Sequence, residues 1–228
     1  MKQLFLLTFP FMLWAQVYQI TGPNKNVAQN VVAKILTKAY AQANLEMKAV
    51  FLPPQEALDA SCSGKLDGEL ARIKKISKFC PDLRIIPVSL VNIEAVAYSK
   101  DKNIHIKQWA DLKNYNFTIT KGSKFIEEAT KNFKKESVST FPEAFEKLMK
   151  NKTQIIVIPK KSALHLMIEK KYYEIKPVSP VLKKLKLYHF LHKKNAKLIP
   201  ILTPILQKMK DSGEISYINT SYLRSLVK

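Results

Sequence analysis

The 228-residue sequence has few cysteines, few glycines, few arginines and a shortage of acidic residues. Two cysteines are too few for a disulfide-built scaffold or a four-thiolate metal site. Five glycines beside 46% hydrophobic residues exclude a fibrous or disordered chain and indicate a globular core in one or two domains. Only Arg72, Arg84 and Arg224 are arginines among 38 basic residues, which oppose 18 acidic ones and give a net charge of +20.

An uncharged, mainly apolar run occupies the N-terminus and has the outline of a secretory signal peptide. Lys2 precedes it, residues 4–14 carry no charge, and the small residue Ala15 follows at the expected cleavage point. The run is shorter than the about 20 apolar residues that span a bilayer. We therefore expect residues 1–16 to be a signal peptide and the mature chain to be periplasmic and not membrane-spanning. The alternative is a buried first strand, which Pro10 disfavours.

An oxidising compartment changes how the two cysteines are interpreted. A bond between Cys62 and Cys80 would close a loop of ~18 residues and stabilise the fold by about 3 kcal/mol. Two separate buried thiols are the alternative, and the sequence leaves both open.

Strand and helix patterns alternate from Val17 onward, which indicates a parallel sheet covered by helices. The hydrophobic periodicity predicts strands at 17–20, 45–51, 66–72, 83–89, 91–98, 115–120, 137–140, 154–158, 173–178 and 187–191. It predicts a helix from Asn26 to about Asn44, one opened by Pro54, and others at 109–112, 124–132, 142–150, 162–170, 202–209 and 217–226. Two consecutive α/β units, with crossovers near 99–103 and 187–193, indicate two lobes.

Four stretches, in this order, carry a resemblance to a known family. They are residues 56–69 (EALDASCSGKLDGE), 109–123 (WADLKNYNFTITKGS), 141–158 (FPEAFEKLMKNKTQIIVI) and 190–213 (FLHKKNAKLIPILTPILQKMKDSG). The chain resembles the bacterial extracellular solute-binding proteins of family 3. These have the type II periplasmic binding fold and serve ABC importers of polar amino acids and related solutes.

The resemblance implies an α/β fold of two lobes, each a mostly parallel sheet flanked by helices. The first lobe would comprise residues 17–98 plus 189–228, and the second residues 99–188. A ligand would lie in the cleft between them, at the carboxyl ends of the strands, and closure about two hinge strands would trap it. We expect a monomer without a cofactor.

Two residues that the family's amino-acid binders use are absent. Those proteins carry an Arg after the third strand for the ligand carboxylate, whereas residues 76–80 contain none. They also carry an Asp after the buried strand of the second lobe for the ligand amino group, whereas Pro159 stands there in this sequence. An ordinary amino-acid ligand is therefore disfavoured.

Arg72 and Glu69 lie toward the carboxyl end of a predicted strand, where residues of the cleft are expected. The guanidinium of Arg72 can hold a carboxylate or a phosphate through two parallel hydrogen bonds. The alternative is a local ion pair of Arg72 with Glu69 or with Asp67. The sequence leaves both interpretations open.

Two turns complete the predicted ligand site. Thr120, Gly122 and Ser123 precede a helix, whose free N–H groups would face an anionic ligand group. Capping of that helix by Ser123 is the competing interpretation, and both can hold at once. Pro23 and Asn24 follow the first strand and are assigned to the site by the same argument.

No pattern indicates catalysis, a metal or nucleic acid. Ser123 has no G-x-S-x-G context, and no Cys/His or paired-carboxylate arrangement is present. His189 and His192 are three residues apart but lack a Cys or acid cluster beside them. Lysine pairs such as Lys183–Lys184 would attract anions, lipid headgroups or nucleic acid, although a solvated surface is the commoner explanation. With an export signal and few arginines, we expect no nucleic-acid partner.

The sequence therefore predicts a solute-binding protein without enzymatic activity. It would capture a small polar molecule, anionic or carboxylate-bearing, for an ABC-type importer and its membrane permease. The alternative is an extracytoplasmic sensor, read by a sensor kinase, or a partner-binding protein of the same fold without a transport role.

Overall fold

The computed structural model describes residues 16–23 and 26–226. Asn24 and residues 1–15 of the expected signal peptide therefore lie outside the described residues. No helix within the described ranges combines the length and the apolar character that crossing a bilayer requires.

The described residues form a mixed sheet with helices on its faces. The strands are β1 (Val17–Pro23), β2 (Glu46–Leu52), β3 (Gly68–Ile73), β4 (Leu83–Ser99), β5 (Phe117–Thr120), β6 (Glu136–Val138), β7 (Ile155–Pro159), β8 (Lys176–Pro177) and β9 (Lys183–His192). The α-helices are α1 (Val27–Gln42), α2 (Pro54–Cys62), α3 (Lys124–Ala129), α4 (Phe141–Met149), α5 (Lys160–Glu169), α6 (Ile199–Asp211) and α7 (Glu214–Ser225). Short 3-10 helices lie at Lys74–Lys78, Trp109–Asn114 and Lys193–Leu198.

The strand order is β2-β1-β3-β9-β4-β7-β5-β6, with β8 beside β4. Strands β1, β2 and β3 pair in parallel, and so do β5, β6 and β7. Between these two parallel groups lie β4 and β9, which are antiparallel to each other and to their other neighbours. Because β9 pairs with β3 and β4 pairs with β7, these two strands join the two parallel groups into one sheet.

Local sequence explains where the first elements begin and end. Asn26 is the N-cap of α1, and its side-chain oxygen accepts a hydrogen bond from the main-chain N–H of Gln29 at 3.2 Å. Pro54 opens α2, where its missing N–H costs no hydrogen bond. Thr140 and Glu143 form a reciprocal capping box at the start of α4.

Separate hydrophobic clusters stabilise the two parallel groups. The first cluster, which includes Ile35 and Leu70, packs α1, α6 and α7 against one group. Two more, around Phe117 and Phe145, cover the other group. We call β1–β3 with α1, α2, α6 and α7 the first half, and β5–β8 with α3–α5 the second half.

Both long strands change cluster in the middle. On β4, Val91 belongs to the first cluster and Ala95 to the second. On β9, Leu187 belongs to the first cluster, whereas Leu185 packs against the second. Residues 95–98, assigned to the first lobe from the sequence, thus have their buried side chains among those of the second half.

Several predicted elements have different limits in the structure. The strands predicted at 83–89 and 91–98 are one 17-residue strand, β4, with register shifts near Ser89. The strand predicted at 173–178 is reduced to the two residues of β8, and the helix predicted at 124–132 ends at Ala129. Strand β9 begins four residues before the predicted Leu187, at Lys183.

Cys62 and Cys80 form a disulfide, with Cα atoms 5.6 Å apart. It joins the last residue of α2 to the segment that precedes β4. Cys80 is buried in a small cluster with Leu58 of α2 and Phe190 of β9, so the bond holds the end of α2 beside this cluster.

Candidate ligand-binding site

A cavity lies between the two halves, at the carboxyl ends of two pairs of parallel strands, one pair from each half. Pro23, Ile73, Thr120 and Pro159 are the last residues of β1, β3, β5 and β7, and all four line it. The arrangement follows from the topology, because parallel strands of one group end on the same edge of the sheet and leave a crevice there.

The cavity is small and mostly apolar, with a volume of about 90 Å³. Drug-sized ligand sites begin at roughly 300 Å³. The apolar wall includes Ile93, Phe125, Phe141 and Leu187, while the polar residues come from the ends of helices and strands. A ligand that fits this cavity is therefore small, and a larger ligand would require the two halves to separate.

Arg72 lines the cavity and is a buried charged residue, with a relative exposure of 6%. Its Nη2 atom donates to the Glu69 carboxylate and to the main-chain oxygen of Pro54, both at 2.9 Å. Its Nε atom is buried and bonds no described residue. The fold thus holds the guanidinium through Nη2, while the Nε donor is unused.

Glu69 is fully buried and does not line the cavity. Burial raises the pKa of its carboxyl above the ordinary value, and the Arg72 guanidinium opposes that rise. One carboxylate oxygen, Oε1, accepts from Arg72 and lies 3.4 Å from the Ser61 hydroxyl. The structure therefore contains the local ion pair with Glu69 that the sequence left open as the alternative to ligand binding by Arg72.

A buried polar chain continues behind this ion pair. The main-chain oxygen of Glu69 lies 2.7 Å from His189 Nδ1, and the Tyr40 hydroxyl lies 3.0 Å from His189 Nε2. Because a carbonyl oxygen only accepts, Nδ1 carries the proton and Nε2 accepts from Tyr40. Burial lowers the pKa of His189 to about 4, so the ring is neutral at pH 7.

Gln29 contributes a second partly used polar group. It lies on the buried face of α1, lines the cavity and is 4% exposed. Its Nε2 atom donates to the main-chain oxygen of Ala71 at 3.1 Å, whereas Oε1 is buried and bonds no described residue. Gln29 lies within a helix and follows no strand, so the strand-end pattern of the sequence does not identify it.

The turn after β5 differs from its prediction in two respects. The Gly122 N–H, expected to be free for an anion, donates to the Glu127 carboxylate at 2.6 Å. The Ser123 side chain, expected to cap the helix, makes no capping hydrogen bond. Both residues still line the cavity, and the buried Thr120 hydroxyl bonds no described residue.

Gly122 also marks a close approach of the two halves. Its φ is +82°, and a Cβ atom placed there would lie 2.0 Å from Cβ of Pro54 in the first half. Only glycine fits this position without displacing its neighbour. The other predicted site residues fall as follows: Pro23 and Arg72 line the cavity with Thr120, Gly122 and Ser123, Glu69 lies behind it, and Asn24 is outside the described residues.

The charges around the cavity are mainly positive. Lys121 and Lys124 line it, and Lys124 pairs with Glu127 at 3.3 Å. None of the described residues that line the cavity is an Asp or a Glu. Among residues 16–23 and 26–226, no group of His, Cys, Asp and Glu side chains has the composition and spacing of a metal site.

Comparison of the sequence with known proteins finds a distant relative of unknown function. No protein-family model matches the chain. An uncharacterised protein from Shewanella oneidensis is 24% identical over 187 residues, which cover 78% of this chain and 70% of that protein.

Solved structures with low sequence identity have a similar architecture. A mutant of ArgBP from T. maritima has a TM-score of 0.77 at 15% identity, covering 91% of this chain and 95% of its own. A histidine kinase sensor domain with similarity to periplasmic binding proteins has a TM-score of 0.78 at 12% identity, covering 91% and 96%. AbpA from Streptococcus pneumoniae, an amino acid ABC transporter substrate-binding protein bound to L-arginine, has a TM-score of 0.75 at 12% identity, covering 93% and 96%.

These neighbours confirm the resemblance and the fold class inferred from the sequence. The chain has the α/β fold of the periplasmic binding proteins, with a cavity at the place where the resemblance puts the ligand cleft.

Proposed function

We propose that this chain, whose fold is that of the periplasmic binding proteins, is an exported solute-binding protein. It captures a small polar, carboxylate-bearing molecule in the cavity between its halves and delivers it to an ABC-type importer. The signal-peptide pattern of residues 1–16 and the Cys62–Cys80 disulfide support a periplasmic location, since disulfides persist in oxidising compartments.

The observation that carries the proposal is a set of three unused polar atoms around one cavity. Arg72 Nε, Thr120 Oγ1 and Gln29 Oε1 are buried, bond no described residue and belong to residues that line the cavity. A buried polar atom without a partner costs roughly 1–3 kcal/mol. Three of the six such side-chain atoms among the described residues belong to residues of this one cavity. A ligand that bonds all three removes that cost.

The charged side chains that line the cavity favour a ligand with a negatively charged group. Arg72, Lys121 and Lys124 line the cavity, and no described acid does. Glu69 neutralises part of the Arg72 charge from outside the cavity lining, while the Nε donor of Arg72 bonds no described residue. A ligand carboxylate, like other anionic acceptor groups, satisfies a guanidinium donor and a hydroxyl donor together, and the small volume of the cavity favours this compact group.

Closure of the halves over the ligand is the second part of the proposal. Contacts across the cavity include Gly122 with Pro54, the Lys75–Glu128 ion pair, and Lys161 Nζ with Asn219 Oδ1 at 2.9 Å. We place the hinges where β4 and β9 change hydrophobic cluster, near residues 92–94 and 184–186. This refines the crossovers expected from the sequence at 99–103 and 187–193.

Thermal unfolding of the purified protein with carboxylates, amines, phosphates and sugars tests the proposal. A ligand at a hundredfold excess over its Kd should stabilise the fold by about 2.7 kcal/mol. Thr120→Val removes a cavity donor at nearly constant shape. Because the hydroxyl has no partner in the fold, the variant should be as stable as the parent without ligand, and it should lose ligand-induced stabilisation.

Thr203→Val is the matched control, since its hydroxyl donates to Ile199 within α6, far from the cavity. That variant should keep the full ligand response. If no compound of the panel stabilises the protein, or if Thr120→Val responds as the parent does, the cavity is not a ligand site.

A sensor is the second candidate function, and the similarity to a histidine kinase sensor domain favours it. Uptake of the stabilising compound by cells with and without the gene separates the two. Transport predicts that uptake falls on deletion, whereas sensing predicts unchanged uptake with a change in the transcriptional response to the compound.

A further inference from the structure

The orientation of the Gln29 amide is fixed by its neighbour. The main-chain oxygen of Ala71 can only accept a hydrogen bond, so the amide group 3.1 Å from it must be Nε2 and not Oε1. The remaining atom, Oε1, is therefore a pure acceptor. Oε1 is buried and lies close to Gly22, where an added Cβ atom would be 2.9 Å away, so glycine at residue 22 leaves room for this oxygen.

The donors of the site lie on other elements. Arg72 Nε is held on β3 and Thr120 Oγ1 on β5, in opposite halves. Both suit a carboxylate, because an ionised carboxylate only accepts hydrogen bonds. Gln29 Oε1 suits the opposite kind of group, one that donates.

A ligand could bring that donor as an ammonium or as a hydroxyl, and the charges distinguish the two. No described acid lines the cavity: Glu69 lies behind the lining, with Oε1 bonded to Arg72 and Oε2 bonded to no described residue. A buried ammonium would therefore have only a neutral acceptor, beside Arg72, Lys121 and Lys124. Burying a charge without a counter-charge is costly, whereas a hydroxyl needs only the neutral acceptor.

We propose that the cavity selects small hydroxycarboxylates over the corresponding amino acids. The carboxylate accepts from Arg72 Nε and Thr120 Oγ1, and the hydroxyl donates to Gln29 Oε1. The cavity of about 90 Å³ favours short-chain acids. This inference rests on the proposed ligand-binding function of the same cavity and names the class of its ligand.

Binding of two matched series to the purified protein tests the class, by calorimetry and by thermal unfolding. The first is lactate, alanine and propionate, and the second is malate, aspartate and succinate, with both enantiomers of each chiral acid. Within a series the carbon skeleton is constant, while the hydroxyl is replaced by an ammonium or by hydrogen. In at least one series, the hydroxy acid should bind roughly five- to a hundredfold more tightly than either analogue, because each analogue leaves the site unsatisfied or carries an unpaired charge.

Gln29→Met tests the assigned acceptor at similar side-chain volume. This variant should reduce the preference for the hydroxy acid over its deoxy analogue to less than about threefold, while the deoxy analogue keeps its affinity. The matched control is Gln207→Met, on the exposed face of α6, which should leave the preference unchanged. If Gln29→Met does not fold, Thr120→Val serves instead and should weaken all three acids of a series alike.

Each result bears on a different statement. Amino acids that bind as tightly as the hydroxy acids, or a preference that survives Gln29→Met, overturn the hydroxycarboxylate assignment. Stabilisation by other compounds but by no hydroxycarboxylate overturns the assignment and leaves the proposed function intact. A protein that no compound stabilises contradicts the proposed function itself.

Discussion

Arg72 and Glu69 form an ion pair between residues three apart, with Nη2 2.9 Å from Oε1 and both side chains buried. Their positions on β3 let the pair form beside a register shift of the ladder with β9, between Glu69 and Arg72. One guanidinium therefore serves the fold through Nη2, while its Nε donor bonds no described residue. Mutations of Arg72 should affect stability as well as the proposed ligand binding.

Removing one member of this pair should destabilise the fold more than removing both. Arg72→Leu leaves the fully buried Glu69 without its counter-charge, and breaking a buried pair in this way costs about 3–5 kcal/mol. The double variant Arg72→Leu/Glu69→Leu leaves no unpaired charge and should be more stable than Arg72→Leu. Urea unfolding of the two single variants and the double variant gives the coupling free energy, and purely additive effects would show that the pair does not act as a unit.

The buried His189 predicts a dependence of stability on pH. Burial lowers its pKa from 6.5 to about 4 in the folded protein. As the pH falls below 6.5, the unfolded chain takes up a proton that the folded chain does not, so this contribution to the free energy of unfolding decreases until pH 4. The shift corresponds to a loss of roughly 3 kcal/mol, measurable by urea unfolding at pH values between 7 and 4.

The variant His189→Gln isolates this effect from others in the same range. Burial raises the pKa of Glu69 above its ordinary 4.5, so its contribution has the opposite sign and decreases as the pH rises. The parent should therefore lose more stability than His189→Gln between pH 6.5 and 4. His165→Gln, at a partly exposed histidine of α5, is the control and should behave as the parent. Parallel pH profiles for the parent and His189→Gln would contradict a neutral, buried His189.

Alanine at Gly122 should oppose closure of the halves. The new Cβ would lie 2.0 Å from Cβ of Pro54, and the φ of +82° adds strain of about 1–2 kcal/mol. Gly213→Ala is the matched control, because its φ is +79° but no atom lies within 4 Å of the added Cβ. Small-angle scattering should give a larger radius of gyration for Gly122→Ala than for Gly213→Ala, with weaker ligand binding. Equal radii and equal affinities would show that the Gly122–Pro54 contact does not limit closure.

Reduction of the disulfide should lower stability without a change of fold. Cys62 and Cys80 are 18 residues apart, and a cross-link of that length contributes about 3 kcal/mol by restricting the unfolded chain. Urea unfolding with and without a reductant measures the difference, and mass spectrometry after alkylation counts the thiols. The variant Cys62→Ala/Cys80→Ala should not respond to the reductant. A parent protein equally stable in both conditions would show that the bond contributes nothing to stability.

Much of the candidate site could be predicted because parallel strands end on one edge of a sheet. That rule identified Pro23, Arg72 and Thr120 without any knowledge of tertiary structure, and all three line the cavity. Gln29 could not be found in this way, because the rule applies to strand ends and not to helix faces. One signal was available: Gln29 shares the buried stripe of α1 with Val32 and Leu36, at positions where an apolar residue is expected.

The long strands show the limit of local patterns. Bulges near Ser89 interrupt the alternation of β4, so the pattern predicts two short strands instead of one of 17 residues. The start of β9 contains Lys183, Lys184 and Lys186, which have low intrinsic strand preference. Only pairing with β4, from Ala95 to Asn92, makes this segment a strand, and such pairing is not encoded locally.

The hydrogen-bonded pairing of β4 with β9 constrains how the molecule can move. Both chain crossings between the parallel groups belong to one antiparallel ribbon, in which Ile93 faces Leu185 and Glu94 faces Lys184. Independent swinging of the halves on loose tethers would break this ribbon, whereas twisting it by a few degrees at each residue keeps its bonds. The proposed closure should therefore twist the β4–β9 ribbon without breaking its hydrogen bonds. The amides at 92–94 and 184–186 should then resist exchange with deuterium both with and without ligand.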